Sequence, residues 1–371
     1  MHGANPHAAG VLQWFAWRFA PFVRADHRPI VSLCEASLFA IFAPSRESLL
    51  PETSDMSTIK ANGIDITYEL AGPATGAPLL LIQGYASQMT SWPDEFHEAL
   101  AAAGLRVIRF DNRDVGLGHK HHGVIPDLRA VAAAMKGGAP PPVPYTLNDM
   151  ADDAAALLDA LNIQSAHISG ASMGGMIAQL VAIRHPGKTR SLISLMSTTS
   201  DPSLPRSDPA AQEALMAKPP AEDKDSVADH ATKTRLVIAS PAYPEDQAKV
   251  RARFAANYDR SYYPEGAIRQ WAAIMATPPR TEALKKLSVR ALVIHGDADI
   301  LIKPEAGRHT AECIKGAELK IIKGWGHNMP IAAVPDITRP MIDFIARVEA
   351  DRAEAFARPV TPGCCGAQQQ Q

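Results

Sequence analysis

A short stretch rich in glycine and serine carries the strongest chemical signal in the sequence. Gly170, Ser172 and Gly174 match the pattern G-x-S-x-G, which is typical of a serine on a sharp turn between a strand and a helix. Glycine is needed where neighbouring backbone comes so close that a Cβ atom would clash. The following helix would direct its N-terminal amides at negative charge developing beside Ser172. Alone, the pattern also fits an ordinary Gly/Ser turn.

Two later segments supply the partners that a nucleophilic serine requires. Acyl transfer by serine needs a base, a residue that orients the base, and hydrogen-bond donors for the oxyanion. Asp299 follows a predicted strand over 289–295, and His327 follows another over 317–322. The order Ser172, Asp299, His327 is typical of this kind of serine turn. Because parallel strands would bring the three to one sheet edge, the sequence predicts a Ser–His–Asp site there.

Alternating strands and helices predict the scaffold that positions these residues. Continuous apolar runs over 79–82, 105–110 and 191–196 are typical of strands buried on both faces. Their alternation with helices indicates an α/β fold with a mostly parallel sheet flanked by helices. A hairpin is predicted over 58–70, and helices over 92–103, 147–161, 173–184, 304–314 and 335–348.

The alternation of strands and helices is interrupted once. Residues 201–285, which we call the cap segment, are rich in Pro, Ala and charged residues and show helical patches. They predict a helical cap inserted before the strand that carries the acid, over the carboxyl edge of the sheet where ligands bind in such folds. The core then comprises 56–200 and 286–348, and 349–371 form a flexible C-terminal tail.

Residues 1–55 differ in composition from the rest of the chain. Their apolar runs over 11–23 and 30–44 are interrupted by polar residues or proline, and neither is long enough to span a bilayer. A membrane-surface segment, an accessory helix of the lid and an extension upstream of a start at Met56 all fit the pattern. The upstream extension is favoured, because the first recognisable element begins just after Met56. No secretory signal is evident, and we expect a cytoplasmic protein.

Composition argues against several classes of partner. The chain has 371 residues, and its 37 Lys and Arg nearly balance 39 Asp and Glu, so it lacks the positive field that nucleic acids require. Its four cysteines match no zinc site or disulfide framework. His119, His121 and His122 could bind a metal, but a solvated loop is expected because no carboxylate or cysteine has a matching spacing. We therefore expect no metal, no cofactor, no nucleic-acid partner and no transmembrane segment.

Taken together, the motifs resemble the α/β-hydrolase superfamily. The resemblance covers roughly 57–347. It rests on the serine turn at 170–174, which we call the elbow, on the loop at 296–299 that contains Asp299, and on the pair Gly326-His327. More narrowly, the run from Phe110 to Leu117 and the continuation of the elbow to Gln179 are similar to bacterial esterase-like members, including the group around the aclacinomycin methylesterases. The resemblance implies the α/β-hydrolase fold and a serine hydrolase.

The resemblance also implies a role for each residue of the site. Ser172 would be the nucleophile, His327 the general base and then the general acid, and Asp299 the residue that orients the histidine. The backbone amides of Tyr85 and Met173 would form the oxyanion hole. The implied reaction is the cleavage of small to medium hydrophobic carboxylic esters through an acyl-enzyme, without a cofactor.

The sequence departs from the family pattern beside the predicted oxyanion hole. Many members have His-Gly where this chain has Gln83-Gly84. Because the oxyanion donor is a backbone amide, this change should preserve the hole but alter how the loop is held.

Several assignments keep an alternative. Asp297 lies two residues from Asp299 and could be the acid instead. His295 and His167 fall within predicted strands and are expected to be satisfied core histidines. Arg113 and its neighbour Asp114 could form a structural ion pair or brace the loop that carries Tyr85, and the structural role is favoured.

The substrate pocket and the reaction also remain open. Met89, Trp271 and Met329 are predicted to line the pocket, although apolar residues are more often plain core. A lactonase, a C–C bond hydrolase and a cofactor-free perhydrolase would use the same three side chains. A non-catalytic ligand-binding protein on the same fold is the alternative from another class.

Overall fold

The computed structural model describes residues 56–357, so the predictions made for 1–55 and for the end of the tail lie outside the described residues. Within this range, eight strands form one sheet. They are β1 (Ser57–Ala61), β2 (Ile64–Ala71), β3 (Ala77–Ile82), β4 (Leu105–Phe110), β5 (Ala166–Ala171), β6 (Thr189–Leu195), β7 (Arg290–Gly296) and β8 (Glu318–Ile322).

The sheet is mostly parallel, as predicted. Its order is β1-β2-β4-β3-β5-β6-β7-β8. The pairs β1–β2 and β2–β4 are antiparallel, whereas all pairs from β4–β3 to β7–β8 are parallel. Strands β5 to β8 are therefore neighbours whose carboxyl ends lie along one edge, which is the arrangement that the predicted site requires.

Helices cover both faces of this sheet. Helices α3 and α4 belong to one core cluster, and α1 and α11 to the other. In chain order, the α-helices of the described residues are α1 (Asp94–Ala102), α2 (Leu128–Gly137), α3 (Leu147–Ala160), α4 (Met173–Arg184), α5 (Pro209–Met216), α6 (Lys224–Val237), α7 (Gln247–Arg260), α8 (Pro264–Ala276), α9 (Thr281–Leu284), α10 (Pro304–Cys313) and α11 (Val334–Ala357).

Strand β3 shows why a continuous apolar run predicted a strand buried on both faces. Leu80 and Ile82 point into the cluster with α3 and α4, whereas Leu79 and Leu81 point into the cluster with α1 and α11. All four side chains are completely buried. The period-2 alternation of a strand thus distributes one apolar run between two cores.

Helix α3 begins with a well-formed N-terminal cap. The Thr146 hydroxyl accepts from the Asn148 N–H at 3.2 Å, and the Asp149 carboxylate accepts from the Thr146 N–H at 2.8 Å. These reciprocal bonds form a capping box, which satisfies amides that the first turn of a helix otherwise leaves free. The helix feeds directly into β5, the strand before Ser172.

Two helices differ from the prediction. Helix α2 was not predicted, and its N-terminus is capped by the Asp127 side chain. Helix α11 continues to Ala357 rather than ending at 348, so the first part of the predicted tail is helical. Glu349 explains this extension, because its carboxylate lies 2.9 Å from the Arg190 guanidinium and ties the helix to β6.

The cap segment contributes helices α5 to α9, between β6 and β7. Helices α6 and α7 pack against each other, and α8 packs on α2. Among residues 56–357, no helix combines the length and apolar character that crossing a membrane requires.

Candidate active site

Ser172 stands at the junction of β5 and α4, in a strained backbone conformation. Its φ of 55° and ψ of −121° lie in a region that residues with a side chain rarely adopt. A Cβ atom on Gly170 would lie 2.0 Å from the Gly174 carbonyl oxygen, and one on Gly174 would lie 2.1 Å from the Ile82 carbonyl oxygen. Glycine is therefore required at both positions, for the steric reason that the sequence suggested.

Strand β6 supports this turn from the side. The Ser172 N–H donates to the Leu195 carbonyl at 3.0 Å, and the Ser197 hydroxyl donates to the Ser172 carbonyl at 2.7 Å. Ser197 was not among the predicted site residues. Its position just after β6, on the same sheet edge as Ser172, is the signal that could have identified it.

The structure brings Ser172, His327 and Asp299 into one hydrogen-bonded chain. Ser172 Oγ lies 2.9 Å from His327 Nε2, and His327 Nδ1 lies 2.7 Å from Asp299 Oδ2. Each residue follows a different strand, namely β5, β8 and β7. The geometry matches that of a nucleophile, a base and the group that orients the base.

The surroundings of Asp299 favour its charged form. Burial works to raise the pKa of this carboxyl, but His327 and His295 face it and hold its pKa well below the usual range. Its other oxygen, Oδ1, accepts from the N–H groups of Leu301 and Ile302, each at 2.9 Å. An ionised carboxylate can only accept, so the proton of His327 lies on Nδ1 and Nε2 is free to accept the serine proton.

His295 contributes to this arrangement although it is buried in β7, as expected for a core histidine. Its Nε2 donates to the Ile302 carbonyl at 2.8 Å and lies 3.3 Å from Asp299 Oδ2. His295 was not among the predicted site residues. The spacing of four residues between His295 and Asp299 does not predict their contact, because the two side chains meet only through the turn after β7.

Asp297, the alternative acid, lies in a different environment. Its side chain is exposed, and its Oδ1 accepts from the Gly324 N–H at 2.6 Å. This bond ties the turn after β7 to the turn after β8. The structure thus places Asp299 rather than Asp297 against His327.

The loop around His327, which we call the histidine loop (residues 324–329), is held by the connection between α6 and α7. The His327 N–H donates to the Ile238 carbonyl at 2.9 Å, and the Gly326 N–H donates to Ser240 Oγ at 2.9 Å. Ser240 Oγ in turn donates to the Asn328 side-chain oxygen. Ser240 is almost completely buried, so the cap segment forms part of the support for His327.

The two predicted oxyanion donors lie beside the serine. Met173 is the first residue of α4, so its N–H has no acceptor within the helix. Among the described residues, no acceptor contacts the N–H of Met173 or that of Tyr85. A Cβ atom on Gly84 would lie 3.3 Å from Ser172 Cβ, which shows how closely the loop before Tyr85 approaches the serine.

The loop that carries Tyr85, which we call the oxyanion loop (residues 83–87), is fixed from the core. Gln83 Oε1 accepts from the Gly84 N–H at 2.8 Å, and the Gln83 carbonyl accepts from Asn112 Nδ2 at 3.0 Å. The glutamine that replaces the family's histidine therefore holds the loop through its own side chain. The side chain of Asn112, just past β4, supplies the second support.

Arg113 and Asp114 form structural ion pairs, but not with each other. Arg113 makes a bidentate pair with Asp153 of α3, with both N–O distances at 2.7 Å. Asp114 has a φ of 70°, is fully buried, and accepts from Arg269 Nε of α8 at 3.0 Å. The two neighbours thus connect the turn after β4 to the core and to the cap segment respectively.

The three predicted pocket residues do not share one environment. Trp271 is partly buried and packs edge-on against the Tyr85 ring, with ring centroids 5.6 Å apart. Met89 is fully buried, and its N–H donates to Asp111. Met329 packs in the core cluster with α11. Of the three residues, Trp271 contacts the loop that carries Tyr85. The substrate pocket itself stays a prediction.

The histidine cluster after β4 packs on aromatic rings. His121 stacks on Tyr145 with centroids 5.2 Å apart, and His122 lies edge-on to Tyr263 at 5.7 Å. Within residues 56–357, no group of three or more His, Cys, Asp or Glu side chains is arranged to hold a metal ion.

Comparison with known proteins agrees with this geometry. The model of the family described as alpha/beta hydrolase fold matches residues 77–333. The chain is 28% identical over 302 residues to the rhodomycin D methylesterase DauP of Streptomyces sp. (strain C5), which covers 76% of this chain and 92% of that protein. It is 27% identical over 295 residues to the bifunctional esterase/perhydrolase DCH of Acinetobacter calcoaceticus, with coverages of 76% and 97%.

A solved structure extends the comparison to the fold. A thermophilic esterase from Thermogutta terrifontis superposes with a TM-score of 0.57 at 24% sequence identity, covering 80% of this chain and 99% of that one. At this identity the similarity concerns the fold, and it agrees with the parallel sheet and flanking helices described above.

Proposed function

Because the chain belongs to the alpha/beta hydrolase fold family, we propose that it hydrolyses carboxylic esters through an acyl-enzyme formed on Ser172. The observation that carries the proposal is the hydrogen-bonded chain from Ser172 Oγ through His327 to Asp299. The activities in the names of its relatives, a methylesterase and an esterase/perhydrolase, support the same reaction class.

The first half of the reaction forms the acyl-enzyme. Ser172 Oγ attacks the ester carbonyl while His327 Nε2 accepts the hydroxyl proton. The imidazolium that results is stabilised by Asp299, which stays ionised. His327 then donates this proton to the alkoxy oxygen as the C–O bond breaks, and the alcohol leaves.

The amides of Met173 and Tyr85 stabilise the tetrahedral oxyanion. Both N–H groups lack an acceptor among the described residues, so they can donate to the new negative charge without losing an existing bond. Removing one donor of such a hole typically costs about 3 kcal/mol of transition-state stabilisation.

Hydrolysis of the acyl-enzyme completes the cycle. Water attacks the acyl carbonyl as His327 accepts its proton, the same two amides stabilise the second oxyanion, and the proton returns to Ser172 Oγ. The acid product leaves and the serine is regenerated. The residues that act here require no metal and no organic cofactor.

The proposed substrates are small to medium hydrophobic esters, with methyl esters included because of the methylesterase relatives. The half-buried Trp271, next to Tyr85, supplies an apolar surface beside the proposed hole. A lactonase, a C–C hydrolase and a perhydrolase would use the same triad. A panel of p-nitrophenyl esters, methyl esters and lactones distinguishes ester hydrolysis from lactone hydrolysis.

Replacing the nucleophile tests the proposal directly. We expect Ser172→Ala to lower kcat on p-nitrophenyl butyrate by at least about 10³-fold, because the covalent route is lost. A fluorophosphonate probe should add its mass to the tryptic peptide that contains Ser172 in the wild type and leave the variant unlabelled. Ser203→Ala, which changes an exposed serine of the cap segment, is the matched control and should retain full activity.

Turnover that survives in Ser172→Ala would show that this serine is not the nucleophile. Absence of hydrolysis across the panel by the wild type, together with specific binding of one of its compounds, would favour the non-catalytic alternative.

A further inference from the structure

We propose that Gln270, on helix α8 of the cap segment, is a positioning residue for the oxyanion loop. This inference rests on the proposed function, since it concerns the hole that stabilises the oxyanion. It gives the cap segment a role in catalysis besides covering the site.

The side chain of Gln270 joins the oxyanion loop to the turn after β4. Its Oε1 accepts from the Ala86 N–H at 2.8 Å, and its Nε2 donates to the Arg113 carbonyl at 2.8 Å. A backbone N–H can only donate and a carbonyl can only accept, so both ends of the amide have a defined role. Gln270 is completely buried, and water therefore does not compete for either bond.

The oxyanion loop needs such a support because its backbone is strained. Ala86 has a φ of 52°, a left-handed conformation that is costly for a residue with a Cβ atom. The turn that it belongs to has a long bond of 3.3 Å between the Ser87 N–H and the Gly84 carbonyl. The bond from Gln270 fixes the peptide next to Tyr85, and thereby limits rotation of the Tyr85 N–H away from the serine.

Helix α8 is itself fixed against the core, so it can serve as a rigid support. Arg269, the neighbour of Gln270, makes a fully buried ion pair with Asp114. A Cβ atom on Gly266 would lie 2.0 Å from the Asp114 carbonyl oxygen, so the helix touches the turn after β4. On the other side of Gln270, the Trp271 ring packs against Tyr85. The helix thus contacts the oxyanion loop through two adjacent residues.

A loop that loses this support should stabilise the transition state less well while binding the ester about equally. Gln270→Met keeps the length and volume of the side chain but removes both hydrogen bonds. We expect it to lower kcat on p-nitrophenyl butyrate about tenfold with KM within about twofold of wild type, because small displacements of a reacting geometry have large effects on rate. Affinity for an alkyl boronic acid, whose tetrahedral adduct places an oxygen in the hole, should fall in parallel.

Thr277→Val is the matched control. Thr277 caps the C-terminus of α8, the helix that carries Gln270. Thr277 is buried, accepts from the Leu147 N–H at 3.1 Å and donates to the Ala273 carbonyl, yet it lies at the contact with α3 rather than at the oxyanion loop. We expect it to lower the melting temperature as much as Gln270→Met does while leaving kcat and boronate affinity unchanged. Should Gln270→Met fail to fold, Gln270→Leu, which also removes both hydrogen bonds, takes its place and is compared with the same control.

The inference is overturned if the Gln270 variant keeps wild-type kcat, or if the Thr277 control loses kcat to the same extent. Wild-type hydrolysis that disappears in Ser172→Ala is measured alongside. A negative result at Gln270 then concerns the support of the loop alone, whereas a wild type without Ser172-dependent hydrolysis refutes the proposed function itself.

Discussion

Asp299 illustrates how single residues acquire their roles from their surroundings. It accepts four hydrogen bonds or close donor contacts, from two backbone N–H groups, His327 and His295. Desolvation would favour the neutral acid, but these donors outweigh it and keep the pKa low. The ionised carboxylate then determines which nitrogen of His327 carries the proton, and hence which one faces Ser172.

Asp299→Asn tests whether the Asp299 carboxylate sets the tautomer of His327. In Asp299→Asn the side chain keeps its shape, but its NH₂ group can donate to His327 and force the tautomer with the proton on Nε2. We expect kcat to fall by about 10³- to 10⁴-fold, as a wrong histidine tautomer does in this kind of site. The measurement is kcat on p-nitrophenyl butyrate, with circular dichroism to verify folding.

Asp297→Asn is the control for this substitution. Its amide oxygen can still accept from the Gly324 N–H, so we expect activity within about threefold of wild type. The reverse pattern, with a large loss at Asp297 and a small one at Asp299, would identify Asp297 as the acid.

At the scale of elements, the cap segment supports both loops of the proposed site. The connection between α6 and α7 contacts the histidine loop, and α8 contacts the oxyanion loop. A Cβ atom on Gly326 would lie 2.5 Å from the Ala239 carbonyl oxygen, so glycine in the histidine loop permits this close approach. The insertion after β6 is therefore part of the structure that holds the histidine loop and the oxyanion loop.

Ser240→Ala tests the support of the histidine loop. The change removes the acceptor for the Gly326 N–H and the donor to Asn328, leaving buried polar groups without a partner. We expect a loss of about 1–3 kcal/mol in the free energy of unfolding and a several-fold drop in kcat. Urea unfolding and steady-state kinetics measure the two effects.

Thr232→Val, within α6, is the control that separates a loss of stability from a loss of kcat. Its hydroxyl donates to the Ala228 carbonyl of its own helix at 2.7 Å and is buried, but it does not contact the histidine loop. We expect unchanged kcat in this variant. Unchanged kcat in Ser240→Ala as well would mean that the histidine loop keeps its geometry without the Ser240 hydroxyl.

At the scale of the whole molecule, a buried histidine links the central sheet to the last helix. His167 Nδ1 in β5 lies 2.7 Å from the Ser191 hydroxyl in β6, and its Nε2 lies 3.2 Å from the Glu349 carboxylate in α11. Burial lowers the pKa of this ring, although Glu349 works in the opposite direction. The fold therefore holds His167 in its neutral form more strongly than the unfolded chain does.

This lowered pKa makes stability depend on pH. As pH falls below about 6.5, the ordinary value for histidine, the unfolded chain takes up a proton that folded His167 accepts only at lower pH. The free energy of unfolding should therefore decrease with falling pH, by up to about 1.4 kcal/mol per pH unit from this residue. Above pH 6.5 the residue should contribute no slope. Urea unfolding of the full chain between pH 7.5 and 5 measures this dependence.

His167→Asn should flatten that slope, because the titrating ring is removed while a polar contact to Ser191 is retained. His230→Asn is the control, since the His230 bond to the Ala217 carbonyl is solvent-exposed, and we expect the wild-type slope. An identical slope in wild type and His167→Asn would show that the acid sensitivity arises elsewhere.

From the sequence, the order of the strands in the core was predictable. Buried strands with continuous apolar runs, such as 79–82, are recognisable because both faces of a central strand need apolar side chains. The turn at Ser172 was predictable because glycine stands where a Cβ atom would clash. The polar residues after β7 and β8 were recognisable because they lie just past the ends of predicted strands. Since parallel strands end at one edge, chain order predicted that Ser172, His327 and an aspartate after β7 meet, while the structure placed Asp299 rather than Asp297 against His327.

The residues that hold this site in place became evident from the packing of distant elements. Ser240 and Gln270 lie far along the chain from the loops that they support, and a polar residue in a charged, proline-rich insertion gives no sign of its partner. Glu349 is a similar case, since its partners His167 and Arg190 lie far along the chain. His295 meets Asp299 only through the turn after β7. Such contacts depend on how separate elements pack in space, and this packing is encoded by no short pattern in the sequence.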